Sequence, residues 1–244
     1  MATTEPDDPT ANGADGAPEE RQVADATAGS AGVYTPGYFE TRLKQDANRE
    51  KVWRHLTDWF SRYIPADGDV LELGAGWCDF SNLVKARRVV AMDLDATVAA
   101  AAAPHVQAEV GDCTDLSRFA DDSFDVVFAS NLVEHLDREQ AARLFAHAAR
   151  VLRPGGRLIL MQPNFRLDPG RYFDDYTHVA VYTDQSLSDL LVSLGWRMEH
   201  VQARFMPLTL KSRGSGLSFL VPWYLRSPIK PLAGQMLVVA NPGK

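Results

Sequence analysis

Short apolar runs alternate with stretches of helical periodicity along most of the chain, and this alternation restricts the fold more than any other feature. The apolar runs predict five strands, at 69–76, 88–95, 105–112, 123–131 and 156–164. The periodic stretches predict helices, at 47–63, where packing against the sheet edge is expected, and at 78–87 and 138–152. Strands alternating with helices form a parallel sheet covered on both faces. Two closing strands, 197–206 and 235–241, lack a crossover helix and are expected to pair in antiparallel.

The chain has the length and composition of one α/β domain that follows a tail. Its 244 residues are 45% hydrophobic, which allows one large core. The first thirty residues hold seven acids against Arg21 and almost no large apolar side chain, so we predict a disordered acidic tail over 1–32. The domain is then 33–244, with 33–64 as an N-terminal helical cap. Its net charge is near −1, which argues against a nucleic-acid partner.

No segment resembles an export signal or a membrane span. The beginning of the chain lacks a basic stretch followed by an apolar run, and no stretch reaches the roughly 18 apolar residues of a spanning helix. The two cysteines, Cys78 and Cys113, have neither metal-site spacing nor the pattern of a disulfide framework, and no metal ligands are predicted. These features predict a soluble cytoplasmic protein.

Two glycines follow the first predicted strand, in the stretch DVLELGAGWCDF. Gly74 and Gly76 allow a sharp turn and a close approach to a ligand, because neither carries a Cβ. A dinucleotide-binding turn has a third glycine where this chain has Asp79. A carboxylate at this place would repel a pyrophosphate. A cap on the following helix is an alternative role for Asp79, and it also disfavours a pyrophosphate.

Acids also follow the next two strands, at the edge of the sheet where ligands of such folds bind. Asp93 can accept hydrogen bonds from a ribose diol, with Asp95 as the second choice. Asp112 can accept from an adenine amine, and the backbone N–H of Cys113 can donate to a ring nitrogen. A single acid after a strand is more often a turn or cap residue. Three such features at three successive strand ends predict an adenosine site.

Five motifs in order, VLELGAGWCDF, VVAMDLD, VGDCTDL, SFDVVFASNLVEHL and RVLRPGGRLIL, resemble class I S-adenosylmethionine-dependent methyltransferases. The similarity is greatest to the group that acts on small molecules and glycans, and it covers about 65–200. The resemblance implies a Rossmann-like seven-stranded sheet, mostly parallel, with helices on both faces and an antiparallel last strand. It also implies S-adenosyl-L-methionine as cofactor. Cys78 departs from the family, because many relatives have glycine there.

The resemblance implies the roles of the residues at the strand ends. Gly74 and Gly76 would flank the methionine and ribose parts of the cofactor, and Ser130 and Asn131 would face the methionine part and the reacting methyl. The complete predicted set of cofactor-binding residues is Glu72, Gly74, Gly76, Asp93, Leu94, Asp112, Cys113, Ser130 and Asn131.

Transfer to a hydroxyl acceptor usually needs a base, and two stretches could supply one. NLVEHL carries Glu134 and His135 just after the fourth strand; local hydrogen bonding at the start of a helix is an equal alternative. RYFDDYTH, at 171–178, concentrates aromatic and titratable groups in a loop that suits acceptor recognition. The candidate bases are His135, His178 and Asp175. His178 could instead be structural.

The stretch 207–230 is predicted to be an insertion between the last two strands, and it mixes aromatic side chains with cations. Such a mixture suits a peripheral membrane contact through 215–226, at the inner face of the membrane, or a lipid-linked acceptor. A cover over the active site and a homodimer contact are the alternatives.

The resulting hypothesis is methyl transfer from S-adenosylmethionine, preferentially to an oxygen of a sugar-bearing, natural-product or lipid-linked glycan acceptor. A non-catalytic protein that binds this cofactor is the first alternative. An NAD(P)-dependent oxidoreductase is the second, and both Asp79 and the order of the motifs disfavour it.

Overall fold

The structure is a computed structural model that describes residues 37, 38, 43, 47–207 and 218–244. Every described residue lies within the unit 32–244. The predicted tail over 1–32 lies outside the described residues, so it stays a prediction. Within the described ranges, no helix is long and apolar enough to cross a membrane.

Among the described residues, seven strands, numbered β1 to β7 along the chain, form one sheet in the order β3-β2-β1-β4-β5-β7-β6. Strands β1 to β5 pair in parallel, and β7 lies antiparallel between β5 and β6. The predicted fold, a mostly parallel sheet with an antiparallel last strand, is therefore confirmed. The strands are β1 Asp69–Leu73, β2 Arg88–Asp93, β3 Val106–Val110, β4 Phe124–Ser130, β5 Leu152–Pro163, β6 Arg197–Met206 and β7 Gln235–Asn241.

Helices surround the sheet, and side chains cap two of them. Asp137 and Gln140 form a reciprocal capping box at the start of α3, as Thr183 and Ser186 do at the start of α4. These caps satisfy backbone N–H groups that have no partner within the helix. The helices are α1 Ala47–Phe60, α2 Thr97–Ala101, α3 Arg138–Val151, α4 Asp184–Ser193 and α5 Val221–Arg226.

The predicted helix over 78–87 is wrong. The chain there forms successive turns, with isolated bonds such as Asn82 N–H to the Cys78 carbonyl (2.9 Å). Cys78 has φ +57°, in the left-handed region, so a right-handed helix cannot run through it. The Asn82 side chain also donates to the Ala101 carbonyl and accepts from the Ala103 N–H, which ties these turns to the end of α2.

Helix α1 packs on a face of the sheet, and not at its edge as the sequence predicted. Trp53, Leu56 and Phe60 are buried in one core cluster with side chains of β1, β2, β4, β5 and β7. Phe80 and Phe128 stack at the centre of this cluster, with ring centroids 3.9 Å apart. Complete burial of each such ring contributes about 2–3 kcal/mol. A second cluster lies on the other face and contains α3 and α4.

Ion pairs join the strands at the amino edge of the sheet. Asp69, buried at the start of β1, accepts from Arg87 Nη2 (2.6 Å) and Arg153 Nη2 (2.7 Å). Arg153 also donates to Asp125 Oδ2 (2.5 Å), which accepts in turn from the Asp69 N–H (2.8 Å). Burial alone would raise the pKa of Asp69, but the bonds from Arg87 and Arg153 outweigh it and hold that pKa below its ordinary value.

The connection between β6 and β7 leaves and re-enters the sheet at its carboxyl edge. The Gly234 N–H donates to the Met206 carbonyl (2.9 Å) and closes the base of the connection. The described part contains a 3-10 helix, Ser218–Leu220, followed directly by α5. Its role as an insertion relative to other members of the family stays a prediction, as does the role of 33–64 as a cap.

Candidate active site

The turn after β1 requires its two glycines. Gly74 and Gly76 have φ +66° and +53°, a region that other residues rarely adopt. A Cβ on Gly74 would lie 2.9 Å from Leu132 Cδ1, and one on Gly76 would lie 2.8 Å from Leu43 Cδ2. The Ala75 N–H donates to the Met92 carbonyl (3.1 Å), so the turn also contacts β2. Leu132 lies two residues after the end of β4, so its side chain brings the end of β4 next to this turn.

Asp93, the last residue of β2, connects three strand ends. Its Oδ2 accepts from the Gly76 N–H (2.8 Å) and its Oδ1 from the Asp95 N–H (2.9 Å). The Gly111 N–H after β3 donates to its carbonyl (2.9 Å). Burial raises the pKa of this carboxyl, and the backbone donors oppose that shift. Each carboxylate oxygen retains capacity for a further hydrogen bond, as a ribose diol requires.

The neighbours of Asp93 have simpler environments. Asp95 Oδ1 accepts from the Thr97 N–H (2.8 Å) at the start of α2. Leu94 is 39% exposed beside them. After β3, Asp112 Oδ1 accepts from the Thr114 N–H (2.8 Å), and burial raises the pKa of the Cys113 thiol above its usual range. Cys113 is therefore a neutral thiol and a poor nucleophile.

Two acids lie behind the glycine turn. Glu72 is buried within β1, where its Oε2 accepts from both the backbone N–H (3.0 Å) and the hydroxyl of Ser81. Burial raises the pKa of Glu72 to about 8, with Asp79 and Asp93 adding to the shift. Asp79 forms an ion pair with Arg49 of α1. The sequence argument against a pyrophosphate relied on the negative charge of Asp79, and Arg49 offsets that charge. The residues around Asp79 in the sequence do not indicate this ion pair.

The end of β4 contacts the start of β7. Asn131 has φ +52°, and its Oδ1 accepts from Gln235 Nε2 (2.6 Å). The amide oxygen of Gln235 is buried and has no hydrogen-bond partner among the described residues. Ser130 directly precedes Asn131 at the end of β4. Gln235 was not predicted, because its place beside Asn131 follows from the position of β7 in the sheet.

The two stretches that the sequence offered as separate sources of a base form one cluster. Val133–His135 is a 3-10 helix after β4, and the backbone carbonyl of Glu134 accepts from the N–H groups of Val179 (2.9 Å) and Ala180 (3.1 Å). The rings of His135 and His178 lie 4.9 Å apart. His178 Nε2 is 3.9 Å from Glu134 Oε1. The His135 N–H donates to the Leu132 carbonyl (3.0 Å), so this cluster adjoins the glycine turn.

Hydrogen bonds determine which nitrogen of His135 carries a proton. His135 Nδ1 lies 3.2 Å from the Thr177 carbonyl and 3.0 Å from Thr177 Oγ1. The hydroxyl of Thr177 donates to Asp175 Oδ1 (2.6 Å), so it can only accept from the imidazole, as the carbonyl must. Nδ1 is therefore the protonated nitrogen and Nε2 carries the lone pair. Burial, with a smaller contribution from His178, lowers the pKa of His135 to about 4, so the ring is neutral at pH 7.

A group that could hold a metal ion is present in the same cluster. One donor atom each of Glu134, His135 and His178 lies within 4.8 Å of the other two, and no other such group occurs among the described residues. The expectation from the sequence that the protein binds no metal is not tested by this geometry.

Known proteins match this chain in both sequence and fold. Residues 71–160 match the family described as a methyltransferase domain. A protein of Mycolicibacterium smegmatis named "Probable S-adenosylmethionine-dependent methyltransferase" is 34% identical over 162 residues, which are 64% of this chain and 59% of that protein. Both matches are to methyltransferases, and the family match covers 90 of the 244 residues. The similarity implies S-adenosyl-L-methionine as cofactor, and the chain spans about three fifths of the length of the Mycolicibacterium relative.

Solved structures share the fold of this chain. A SAM-dependent methyltransferase from Archaeoglobus fulgidus aligns with a TM-score of 0.61 and 17% identity, over 83% of this chain and 97% of that one. An S-adenosylmethionine-dependent methyltransferase from Mesorhizobium loti aligns with a TM-score of 0.55 and 18% identity, over 75% of this chain and 97% of that one. At these identities the likeness shows the architecture alone.

The residues at these strand ends fit S-adenosylmethionine. Gly74 and Gly76 carry no Cβ, and Leu132 and Leu43 pack within 3 Å of where one would stand, so larger residues would not fit at this turn. The carboxylate of Asp93, at the predicted ribose position, retains acceptor capacity, and the buried amide oxygen of Gln235 is an acceptor beside Asn131. The role of each residue in binding stays a prediction.

Proposed function

We propose that the protein transfers a methyl group from S-adenosylmethionine to a hydroxyl oxygen of a small acceptor that bears a sugar or a related polyol. When bound, the cofactor supplies an activated methyl group. Asp93 would bind the ribose hydroxyls, and the turn at Gly74 and Gly76 would approach the methionine part. Asp112 and Cys113 would contact the adenine, with Glu72, Leu94, Ser130 and Asn131 completing the predicted set. Non-catalytic cofactor binding and NAD(P)-dependent oxidoreduction remain the alternatives for the test.

The chain of hydrogen bonds from Asp175 through Thr177 to His135 is the observation that carries this proposal. It leaves Nε2 of a neutral imidazole as a proton acceptor a few residues after β4. His135 would take the proton of the acceptor hydroxyl as the oxygen attacks the methyl carbon, and Asp175 would stabilise the charge that develops on the ring. A pKa near 4 makes a weak base, so proton removal would accompany methyl transfer and not precede it. His178 and Asp175 would then support His135.

The surroundings of this cluster support a sugar-bearing acceptor. Phe173 and Tyr176 belong to the same loop and are 58% and 59% exposed, although exposure of aromatic rings to water is unfavourable in free energy. Flat apolar rings beside polar groups suit the alternating C–H faces and hydroxyls of a sugar ring. Natural-product and lipid-linked glycans carry such rings, and both belong to the proposed class of acceptors.

Binding and transfer measurements test the proposal in sequence. Calorimetry should show binding of S-adenosylhomocysteine and none of NADH; the reverse result would favour an oxidoreductase. Isotope transfer from methyl-labelled S-adenosylmethionine should then appear in hydroxyl-bearing members of a panel of sugars, glycolipids and phenols. Cofactor binding without transfer to any fraction of the panel, or of extracts from the source cells, would favour the non-catalytic alternative.

His135→Ala tests the base. The variant should bind S-adenosylhomocysteine like the parent protein and lose transfer by about 10²–10⁴-fold, the usual contribution of a positioned base. His105→Ala is the matched control, because His105 is exposed and lies just before β3 at the amino edge of the sheet. Transfer should also survive dialysis against EDTA. Loss of activity on chelation, with recovery on adding Mg²⁺ or Zn²⁺, would assign Glu134, His135 and His178 to a metal ion and contradict a base.

A further inference from the structure

The connection between β6 and β7 exposes large apolar side chains to solvent. We call this set the apolar surface; its members, with their exposed fractions, are Phe219 (63%), Leu220 (44%), Trp223 (76%), Ile229 (75%) and Leu232 (87%). All lie within 14 consecutive residues, and single exposed apolar residues elsewhere on a protein are ordinary. A cluster of this kind marks an interaction site.

The segment that carries the apolar surface is firmly anchored. Val221 and Leu225 of α5 are buried in the core cluster that contains α1. Lys230 Nζ donates to the Leu225 carbonyl (2.9 Å) and also to the Tyr224 carbonyl. The Tyr224 hydroxyl donates to the Pro231 carbonyl (3.0 Å). Because these contacts hold the backbone in place, the apolar side chains project outward as part of the fold.

The charge of this part of the chain is one-sided. No aspartate or glutamate occurs from residue 200 to residue 244, although the whole protein has a net charge of −7. Arg204 and Arg226 are exposed there, and Lys211 and Arg213 belong to the same connection in the sequence. Arg226 also lines a groove with Arg62, which lies just after α1, and Asp58 is the acid among the lining residues. The apolar surface therefore has a cationic border.

We propose that the apolar surface binds an anionic lipid bilayer. Aromatic and aliphatic side chains next to cations match the boundary between acyl chains and anionic headgroups. A second copy of the chain would bring the same cations together, so charge favours the bilayer over a homodimer. The helix α5 has only six residues, which suits a surface contact.

The position of the apolar surface extends the proposed function. The connection starts after Met206 and ends before Gln235, at the sheet edge that holds the candidate site. A bilayer bound through this connection would hold the protein next to lipid-linked acceptors. This consequence rests on the proposed function, whereas bilayer binding does not, so the two can fail separately.

Vesicle flotation tests bilayer binding without any methyl transfer. The full chain should float with vesicles of phosphatidylcholine and phosphatidylglycerol, remain unbound with phosphatidylcholine alone, and dissociate as salt is raised. The double variant Trp223→Ala/Leu232→Ala should bind at least tenfold more weakly. Arg226→Gln should bind about fivefold more weakly, the usual effect of one basic residue at an anionic surface. Val192→Ala, which shortens an exposed side chain of α4, is the matched control and should bind like the parent protein.

Several results would overturn the proposal. Unchanged flotation of the double variant, or equal binding to neutral and anionic vesicles, would contradict it. A dimer seen by light scattering that the double variant abolishes, without vesicle binding by the parent protein, would assign the apolar surface to a second copy. Retained binding of S-adenosylhomocysteine in each variant ensures that a loss of flotation does not reflect unfolding.

Discussion

At the level of single residues, the hydroxyl of Thr177 links Asp175 to His135 through two hydrogen bonds. This hydroxyl donates to Asp175 and, having no second proton, presents only lone pairs to His135. A valine at this position would have nearly the same shape and neither bond. Thr177 is therefore a positioning residue, because it would act on the acceptor only through His135.

Thr177→Val is expected to lower kcat about tenfold while KM for the acceptor stays near that of the parent protein. Loss of the Thr177 hydroxyl would leave His135 Nδ1 with one acceptor, the Thr177 carbonyl. The other tautomer, in which Nε2 is protonated and cannot accept a proton, would then become accessible. Thr177→Ser keeps the hydroxyl and should retain most of the activity. The ¹⁵N chemical shifts of His135 report the tautomer directly. Equal rates for the valine and serine variants, or an unchanged tautomer in the valine variant, would show that Thr177 does not position the imidazole.

At the level of elements, the turn after β1 depends on a carboxyl that lies within the strand. Glu72 accepts hydrogen bonds from the backbone N–H and the hydroxyl of Ser81, which lies after the turn. The buried surroundings of Glu72 favour the neutral form of its carboxyl. Its pKa is raised from 4.5 to about 8 in the folded protein. Between these pH values the folded state keeps a proton that the unfolded state releases, so stability falls as pH rises through this window and is level above it.

Glu72→Gln should remove this pH dependence, because an amide has nearly the same shape and does not titrate. Between about pH 6 and about pH 9, the parent protein should lose on the order of 2 kcal/mol of unfolding free energy more than the variant. Urea unfolding at the two pH values measures the difference. Glu139→Gln, at an exposed position in the first turn of α3, should behave like the parent protein. Parallel pH profiles for parent and Glu72→Gln would mean that Glu72 is ionised in the folded state.

The elements also show what the sequence could predict. Strand positions followed from apolar runs, because burial on both faces leaves a local signal in the sequence. The stretch 78–87 was mistaken for a helix, since its composition suits one and the sequence does not reveal the left-handed backbone at Cys78. The ends of parallel strands meet at one edge, so the positions of Asp93 and Asp112 near each other could be expected.

Contacts between distant segments could not be predicted in the same way. Thr177 lies 42 residues from His135, and Gln235 lies 104 residues from Asn131. No periodicity or spacing connects such pairs, because the packing of the whole sheet brings them together. The pairing of Asp79 with Arg49 depends equally on how α1 lies across the sheet.

At the level of the whole molecule, the sheet separates stability from chemistry. The candidate site lies along the carboxyl edge, whereas the ion pairs of Asp69, Asp125, Arg87 and Arg153 lie at the amino edge. These pairs connect the starts of β1, β4 and β5. Changes at one edge should therefore leave the other nearly unaffected.

Arg153→Gln should reduce the unfolding free energy by about 1–3 kcal/mol, because it leaves two carboxylates near each other with one fewer donor. Arg87 continues to pair with Asp69 and limits the loss. Since the bond to Arg153 helps keep Asp69 ionised, the difference between variant and parent should shrink in acid, as Asp69 becomes protonated. Thermal and urea unfolding measure the change, with Arg143→Gln at an exposed position of α3 as control. An unaltered stability, or weaker binding of S-adenosylhomocysteine, would contradict the separation of the two edges.

The position of β7 has a consequence for biosynthesis. This strand is the last of the seven along the chain, yet it lies between β5 and β6. While the chain grows on the ribosome, β6 exists before β7, which among the described strands is its neighbour in the sheet, and β5 presents an open edge. Exposed strand edges recruit other chains, so the nascent protein passes through an interval in which it is prone to aggregate. Completion of β7 closes both edges at once and delivers Gln235 to Asn131, so the sheet and this corner of the candidate site are finished in the same step.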